Sequence, residues 1–384
     1  MDDTSPSPVS SRIVAILVVA MVAAGVSQGF GRFTYSLLLT DVRDDFGVSN
    51  TVAGGLGSAN LVAYLLGSLG VSLVVGRVGL ALTARVGVAG ATIGLVLLAW
   101  GPTIAVVTGA LLITGVSGAL VWITMPGIAT SEMGPTRRGV AMGIVSAGVG
   151  LGLVVASLLH TTVAADDWHE VYRIEAAIGA VTTIGAFWLL RGGTPARRGL
   201  GGLAALRLVP RWQSLMGVYG LFALSISMFL SFLVAVLEED AGWTAGRAGL
   251  AFSAVGFGTI AGGPIFGPLS DRIGRVRALR MALALIVVTA IVVPIGFGPI
   301  SIFAAFWFGV GFTGGPTTVG ARISDYVSAE DFGAAYGAAT LAFGAGLAVA
   351  PQLGGVIGDI TGSFRPAFGV VAMCSAVAAA LPME

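Results

Sequence analysis

The chain has 384 residues, 56% of them hydrophobic and only 10% charged, whereas a soluble domain has roughly a quarter of its residues charged. A mean hydropathy of +0.95 excludes a single water-soluble core, and a net charge of +1 gives no reason to expect a nucleic-acid partner. All 20 basic residues are Arg, which we read as codon bias.

The polar stretch Met1 to Ser11 leads into an apolar run too long for the core of a signal peptide, so that run is expected to stay as a membrane span. Runs of about twenty apolar residues cross roughly 30 Å of hydrocarbon. On that basis the sequence predicts twelve spans, at 12–39, 51–75, 80–100, 103–127, 139–163, 172–191, 212–237, 247–268, 278–298, 300–321, 333–357 and 366–383. The thinnest divisions are at Gly76 to Leu80 and at Gly298-Pro299. Cys374, the only cysteine, sits in the last run and can form no internal disulfide.

Between the sixth and seventh runs, Arg191 to Arg211 carries five Arg and no acid. It divides the chain into an expected six-helix bundle at 1–191, a cytoplasmic linker at 192–211 and a second six-helix bundle at 212–384. With the N-terminus inside, 15 of the Arg fall on the linker side and 4 on the other, with Arg32 inside the first span. The positive-inside rule then puts both termini in the cytoplasm. The setting expected is an inner (plasma) membrane.

Sliding the chain by 195 positions aligns Gly54 with Gly249, Ser58 with Ser253, Ala59 with Ala254, Gly67 with Gly262, Arg77 with Arg272 and Gly79 with Gly274. Two parallel repeats of six helices are one of the transporter architectures.

The most specific short motif, Gly267-Pro-Leu-Ser-Asp271-Arg272-Ile-Gly274-Arg275-Val-Arg277, resembles the signature G-x-L-x-D-R-x-G-R-R of the major facilitator superfamily. Glu132-Met-Gly-Pro135-Thr-Arg137-Arg138-Gly139 resembles the E-x-x-P-x-x-R-G before the fifth helix of the same family. Gly29-Phe-Gly-Arg32-Phe-Thr-Tyr35, with Asp45-Phe-Gly-Val-Ser and Ala53-Gly54, resembles its YbfB/YjiJ-type bacterial group. The resemblance implies an all-α fold of 12 transmembrane helices in two pseudo-symmetric bundles, and secondary transport by alternating access. It also implies a cytoplasmic gate of Asp271, Arg272, Gly274, Arg275, Glu132 and Arg138, with Asp271 near the N-terminal dipole of span five. The first-half copy of the signature departs from the pattern, because Gly76 stands where the repeat puts Asp271. Gly143, Gly148, Gly150 and Gly152 on span five read as close-packing positions.

A charge inside a span costs roughly 2.5–3.5 kcal/mol on insertion scales, so Arg32 is the leading candidate substrate-binding residue. Gln28, Arg32 and Tyr35 share one face at i, i+4 and i+7. Arg offers carboxylates, phosphates and sulfonates a planar fork of donors, which points to a small organic anion. The competing reading has Arg32 snorkelling to pair with Asp41, Asp44 or Asp45. Further cavity candidates are Asn60, Tyr64, Trp122, Thr124, Ser225, Ser227 and Trp307, each of which could equally be packing.

His160 and His169, with Asp166, Asp167 and Glu170, suggest either a proton-coupling group or a solvated outer loop. Glu175 is a second proton-site candidate. No nucleophile with a base, no metal set and no phosphate-binding loop stands out, so neither an enzyme, a cofactor nor an ATP-driven pump is expected. Alternatives to an anion transporter are an exporter of hydrophobic compounds and, less favoured, a sensor or scaffold on the same fold. The expected partners are a small-molecule substrate, a coupling proton and the bilayer, with the protein acting as a monomer.

Overall fold

The computed structural model describes residues 10–133, 138–163, 167–190, 202–327 and 332–383, and all their side chains except those of 72–77, 138–140, 142, 202 and 332–334. Three segments from the sequence reading fall outside this description: residues 134–137, with Pro135 and Arg137 of the motif before the fifth helix; Asp166; and residues 191–201, the start of the linker. The side chain of Arg138 falls outside it as well.

Among the described residues, twelve helices of 16 residues or more form the body: α1 (Ser11–Leu37), α2 (Asn50–Val78), α3 (Leu80–Trp100), α4 (Ile104–Met133), α5 (Arg138–Val163), α6 (His169–Leu189), α7 (Trp212–Asp240), α8 (Ala245–Ile273), α9 (Arg275–Ile295), α10 (Gly298–Ser324), α11 (Phe332–Thr361) and α12 (Arg365–Ala380). Ten of them are long and apolar enough to cross a membrane. The other two are α6, whose first turns are charged, and α12, whose 16 residues span about 24 Å.

The 195-residue repeat is written into the backbone. Shifted by that amount, α2 lands on α8 end to end, and α3 begins where α9 begins. The turns that close α2 and α8 rest on Gly79 and Gly274, with φ of 86° and 91°. An L side chain is strained there, which is why both copies keep glycine.

Helices α1 to α6 pack mainly on one another, as do α7 to α12. Two larger contacts join the groups: α2 against α11, and α5 against α8. The repeat exchanges these two pairs, so they are one interface used twice. At the first, Gly54 lies against the Pro351 carbonyl, and Ser58 Oγ accepts the Gln352 N–H at 3.0 Å. Proline inside a membrane helix is tolerated where a neighbour satisfies the disturbed backbone in this way.

Inside the first group, glycines let α1 and α5 touch backbone to backbone. A Cβ added to Gly152 would stand 2.8 Å from the Gly25 carbonyl oxygen and 2.9 Å from Gly29 Cα. The same stretch of α1, Gly25–Phe33, is wound as a π-helix, with the Thr34 N–H reaching back to the Gly29 carbonyl. Such wide turns recur at functional sites.

The two faces of the helical body differ. One carries the α1–α2, α7–α8 and α11–α12 connections and is called here the Asp41 face. There, Arg43 of the short helix Leu39–Phe46 pairs with Glu239 at 2.6 Å, and Thr40 donates to Glu238 at 3.3 Å. The Asp359 carboxylate accepts the Asn50 and Thr51 N–H groups at 2.9 and 2.7 Å, capping α2 from the tip of α11. All three links run between the two groups, so this face is closed. At the opposite face Arg275 joins Asp271 and Asp325, all from the second group.

Candidate functional site between the two helical groups

A cleft opens between the groups, with about 320 Å³ of empty space including its mouth. From the first group come Arg32, Phe33, Tyr35 and Ser36 of α1 and Gly57, Asn60 and Leu61 of α2. From the second come Ser227, Leu230 and Ser231 of α7 and Pro351 of α11.

Arg32 is half-buried here. Its Nη1 donates to Gln28 Oε1 at 3.4 Å, and its guanidinium lies 4.8 Å from the Phe33 ring centroid and 5.6 Å from that of Tyr64. The aromatic faces attract the cation without neutralising it. The acids that could have drawn Arg32 out to the surface are engaged elsewhere. Asp44 pairs with Arg43 at 2.7 Å, Asp41 faces His160 at 3.5 Å, and Asp45 accepts the Trp168 indole N–H at 3.2 Å. Among the described residues no ion pair is formed by Arg32.

The candidates divide into those that line the cleft and those that build its wall. Arg32, Tyr35, Asn60 and Ser227 line it. Gln28 does not, because its amide is turned into the first group and donates to the Gly118 carbonyl at 2.9 Å. Tyr64 stands behind the guanidinium, and Trp122 packs on the apolar core.

Several lining groups are committed to structure. Tyr35 donates to the Ala53 carbonyl at 2.7 Å, and Ser227 to the Leu347 carbonyl at 2.9 Å. Asn60 Nδ2 faces the Gly31 and Leu111 carbonyls and Thr114 Oγ1 at 3.1, 2.8 and 2.9 Å, tying α1, α2 and α4 together. Thr124 and Ser225 bond carbonyls of their own helices, and Trp307 stacks edge-on with Phe303 and Phe306. Two hydroxyls in the lining, Ser36 and Ser231, were not anticipated from the sequence. They stand one helical turn after Arg32 and Ser227, and that i+4 spacing was the available signal.

The solvated-loop reading holds for one histidine and fails for the other. His169 Nδ1 lies 2.7 Å from Asp167 Oδ1, its ring stacks on Trp168 at 3.7 Å, and it sits beside a Glu170–Arg173 pair, all at least partly exposed except Trp168. Burial pushes the Asp167 carboxyl up, but the His169 N–H and ring together with Arg173 outweigh it and hold the group below the usual carboxylate range. His160, by contrast, has only 3% of its side chain exposed. Helix α5 continues past it to Val163, and α8 packs over it.

Glu175 is fully buried on α6, where its Oε1 accepts from Thr34 Oγ1 at 2.6 Å and its Oε2 has no partner. Of the expected gate residues, Asp271, Arg275 and Gly274 form one cluster at the α8–α9 turn. Glu132 lies in the last turn of α4, on the first group.

Residues 22–383 match the family model described as "Uncharacterised MFS-type transporter YbfB". The chain belongs to this family of MFS-type transporters. Two solved structures share the MFS fold over nearly the whole chain. One is a bacterial homolog of the human lysosomal transporter Spinster, in an inward-facing and unoccupied conformation, with 16% identity, a TM-score of 0.74 and coverage of 97% of this chain and 96% of that one. The other is the nucleoside transporter NupG, with 13% identity, a TM-score of 0.77 and coverage of 96% and 98%. No curated protein matches the sequence. As an MFS-type transporter the chain acts in a membrane on a small molecule, and a cleft shared by its two bundles is where such a fold keeps its substrate.

Proposed function

We propose that this MFS-type protein is a secondary transporter that carries a small organic anion by alternating access, with Arg32 as the group that binds the anion. The observation carrying this reading is a guanidinium facing a cleft between the bundles with no carboxylate partner. A charge held in the membrane at a cost of roughly 2.5–3.5 kcal/mol gains most from a ligand that supplies the missing negative oxygens. Ser36 and Ser231 add short-range polar selectivity, and Phe33 and Leu230 exclude water from the rest of the ligand.

In this reading, residues 1–191 rock against residues 212–384 and the linker at 192–211 joins them. The Arg-rich face is cytoplasmic, in a bacterial inner membrane, with both termini on that side. The conformation described is then closed to the outside. The other half of the cycle brings the Asp271, Arg272 and Arg275 turn against Glu132 and Arg138 at the cytoplasmic face. A monomer suffices, because one chain supplies both walls of the cleft.

A second reading, export of hydrophobic compounds, is favoured by one observation, the fully buried Glu175 carboxyl. Thermal stabilisation of the purified protein and of Arg32→Ala separates the two. The panel holds small carboxylates, phosphonates, sulfonates and lipophilic cations. Stabilisation by one anion class that disappears in Arg32→Ala supports the anion transporter. Stabilisation by lipophilic cations alone, unchanged by the mutation, supports the exporter.

A further inference from the structure

The buried histidine at the Asp41 face takes no part in the anion site, and its surroundings suggest a different ligand. His160 comes from α5, with its Nε2 3.5 Å from Asp41 Oδ2 in the first turn of the short helix Leu39–Phe46. Across the interface, Glu238 at the tip of α7 accepts from Thr40 at 3.3 Å and lies close enough to Asp41 and His160 to interact electrostatically with both. Three buried atoms in this group, Asp41 Oδ2, His160 Nδ1 and Glu238 Oε1, have no hydrogen-bond partner. Unpartnered buried polar atoms are costly, so a group of three needs a reason.

The charges that face Glu238 are Asp41 and His160 from the first bundle and Glu239 from its own helix. Glu239 is engaged by Arg43, which Asp44 also holds. Asp41 and Glu238 are thus two acids from opposite bundles, brought together when this face closes and served by a single imidazole. Among the described residues no group of three His, Cys, Asp or Glu is placed to hold a metal ion. A proton is the ligand that satisfies two acids and a histidine with no further coordinating atoms.

We propose that Asp41, His160 and Glu238 form a proton-binding site that exists only while the Asp41 face is closed, so that closure of this face takes up a proton from the adjoining water. Asp41 keeps about a third of its side chain (36%) in solvent even when the face is closed, so separating the bundles acts chiefly by taking Glu238 away from Asp41 and His160, which returns it to solvent as a carboxylate and releases that proton. Closure is therefore favoured by acid, and by linkage the closed-to-open ratio falls by up to about tenfold per pH unit for each proton bound. The anion-binding role of Arg32 is not needed for this, since the latch lies outside the cleft lining.

The test is an electron-paramagnetic-resonance distance measurement on the full chain in nanodiscs, with no ligand added. Cys374→Ser removes the native thiol, and spin labels are placed at Ala105→Cys and Ile300→Cys, exposed positions at the starts of α4 and α10 on this face. Between pH 5 and pH 9 the short-distance population of the otherwise native protein is expected to give way several-fold to a longer distance. In Glu238→Gln, which mimics the protonated acid, the short distance should persist across the range, and Asp41→Asn provides the same arm if that variant misfolds. A pH-independent distance in the otherwise native protein overturns the proposal, as does a Glu238→Gln or Asp41→Asn protein whose distance still changes at the unaltered midpoint. Ligand stabilisation that fails in Arg32→Ala while the pH response persists would separate this site from the anion site.

Discussion

Gln28 holds Arg32 from behind. Its Nε2 donates to the Gly118 carbonyl of α4 at 2.9 Å, which turns its Oε1 towards Arg32 Nη1 at 3.4 Å. The amide therefore cannot reach a ligand in the cleft, and its contribution is to fix the rotamer of the cation.

Replacing Gln28 with Leu should weaken anion binding without abolishing it. The bond is long, so its loss is worth about 1 kcal/mol, the value of an ordinary hydrogen bond and below that of a short one to a charged group, or about fivefold in affinity. Arg32→Lys should be more damaging than Gln28→Leu because an ammonium has no planar fork. Titration calorimetry with the anion found in the stabilisation panel checks both, and an unchanged affinity in Gln28→Leu would remove its positioning role.

Asn60→Leu should destabilise the first bundle. Its amide reaches α1 and α4 at once, and interhelical hydrogen bonds in membranes are worth about 0.6 kcal/mol each and up to about 1.7. The expected cost is about 1–2 kcal/mol, read as a lower unfolding temperature in detergent. A variant as stable as the native protein would show that Asn60 is free to serve a ligand.

Thr34→Val and Glu175→Gln test the buried carboxyl from its two sides. Removing the hydroxyl leaves a fully buried acid with neither oxygen bonded, a penalty of about 1–3 kcal/mol. Glu175→Gln retains an acceptor for Thr34 and removes the ionisable group, so it should be the milder change. Thermal unfolding of both variants should rank them in that order, and the reverse ranking would mean that the pair is not what holds α1 to α6.

The Asp167 carboxyl is held below its usual range by His169 and Arg173. A depressed folded-state value gives stability that is present above the unfolded value, near 3.9, and lost as pH falls through the folded one. The native protein should therefore lose thermal stability on acidification below about pH 4 more steeply than Asp167→Asn, and the two curves should converge at low pH. Parallel curves would show that the turn before α6 contributes nothing to stability.

Much of the architecture was legible in the sequence because it follows from local rules. Twenty-residue apolar runs located all twelve helices, and the thin divisions at 76–80 and 298–299 proved to be real turns, centred on Gly79 and just before Pro299. The 195-residue shift was visible because the positive φ at Gly79 and Gly274 admits little but glycine. Arg32 was conspicuous because a charge among apolar residues has no inexpensive alternative placement.

The roles of individual side chains were not legible in the same way. An ideal helix puts Gln28, Arg32 and Tyr35 on one stripe, but the π-helical turn at Gly25–Phe33 changes the phase and turns Gln28 away from the cleft. His160 stood at the outer end of the fifth run, where its polar neighbours left a proton-coupling group and a solvated loop as alternatives, and only the packing of α8 shows it to be buried. The meeting of Asp41 with Glu238, 197 positions apart, depends on how the two bundles close. Hydropathy and periodicity act within one helix, and so the sequence by itself determined the spans, the repeat and the cation inside the first span. Which side chains face the cleft, and which acids meet across the interface, was decided only by packing between helices distant in the chain.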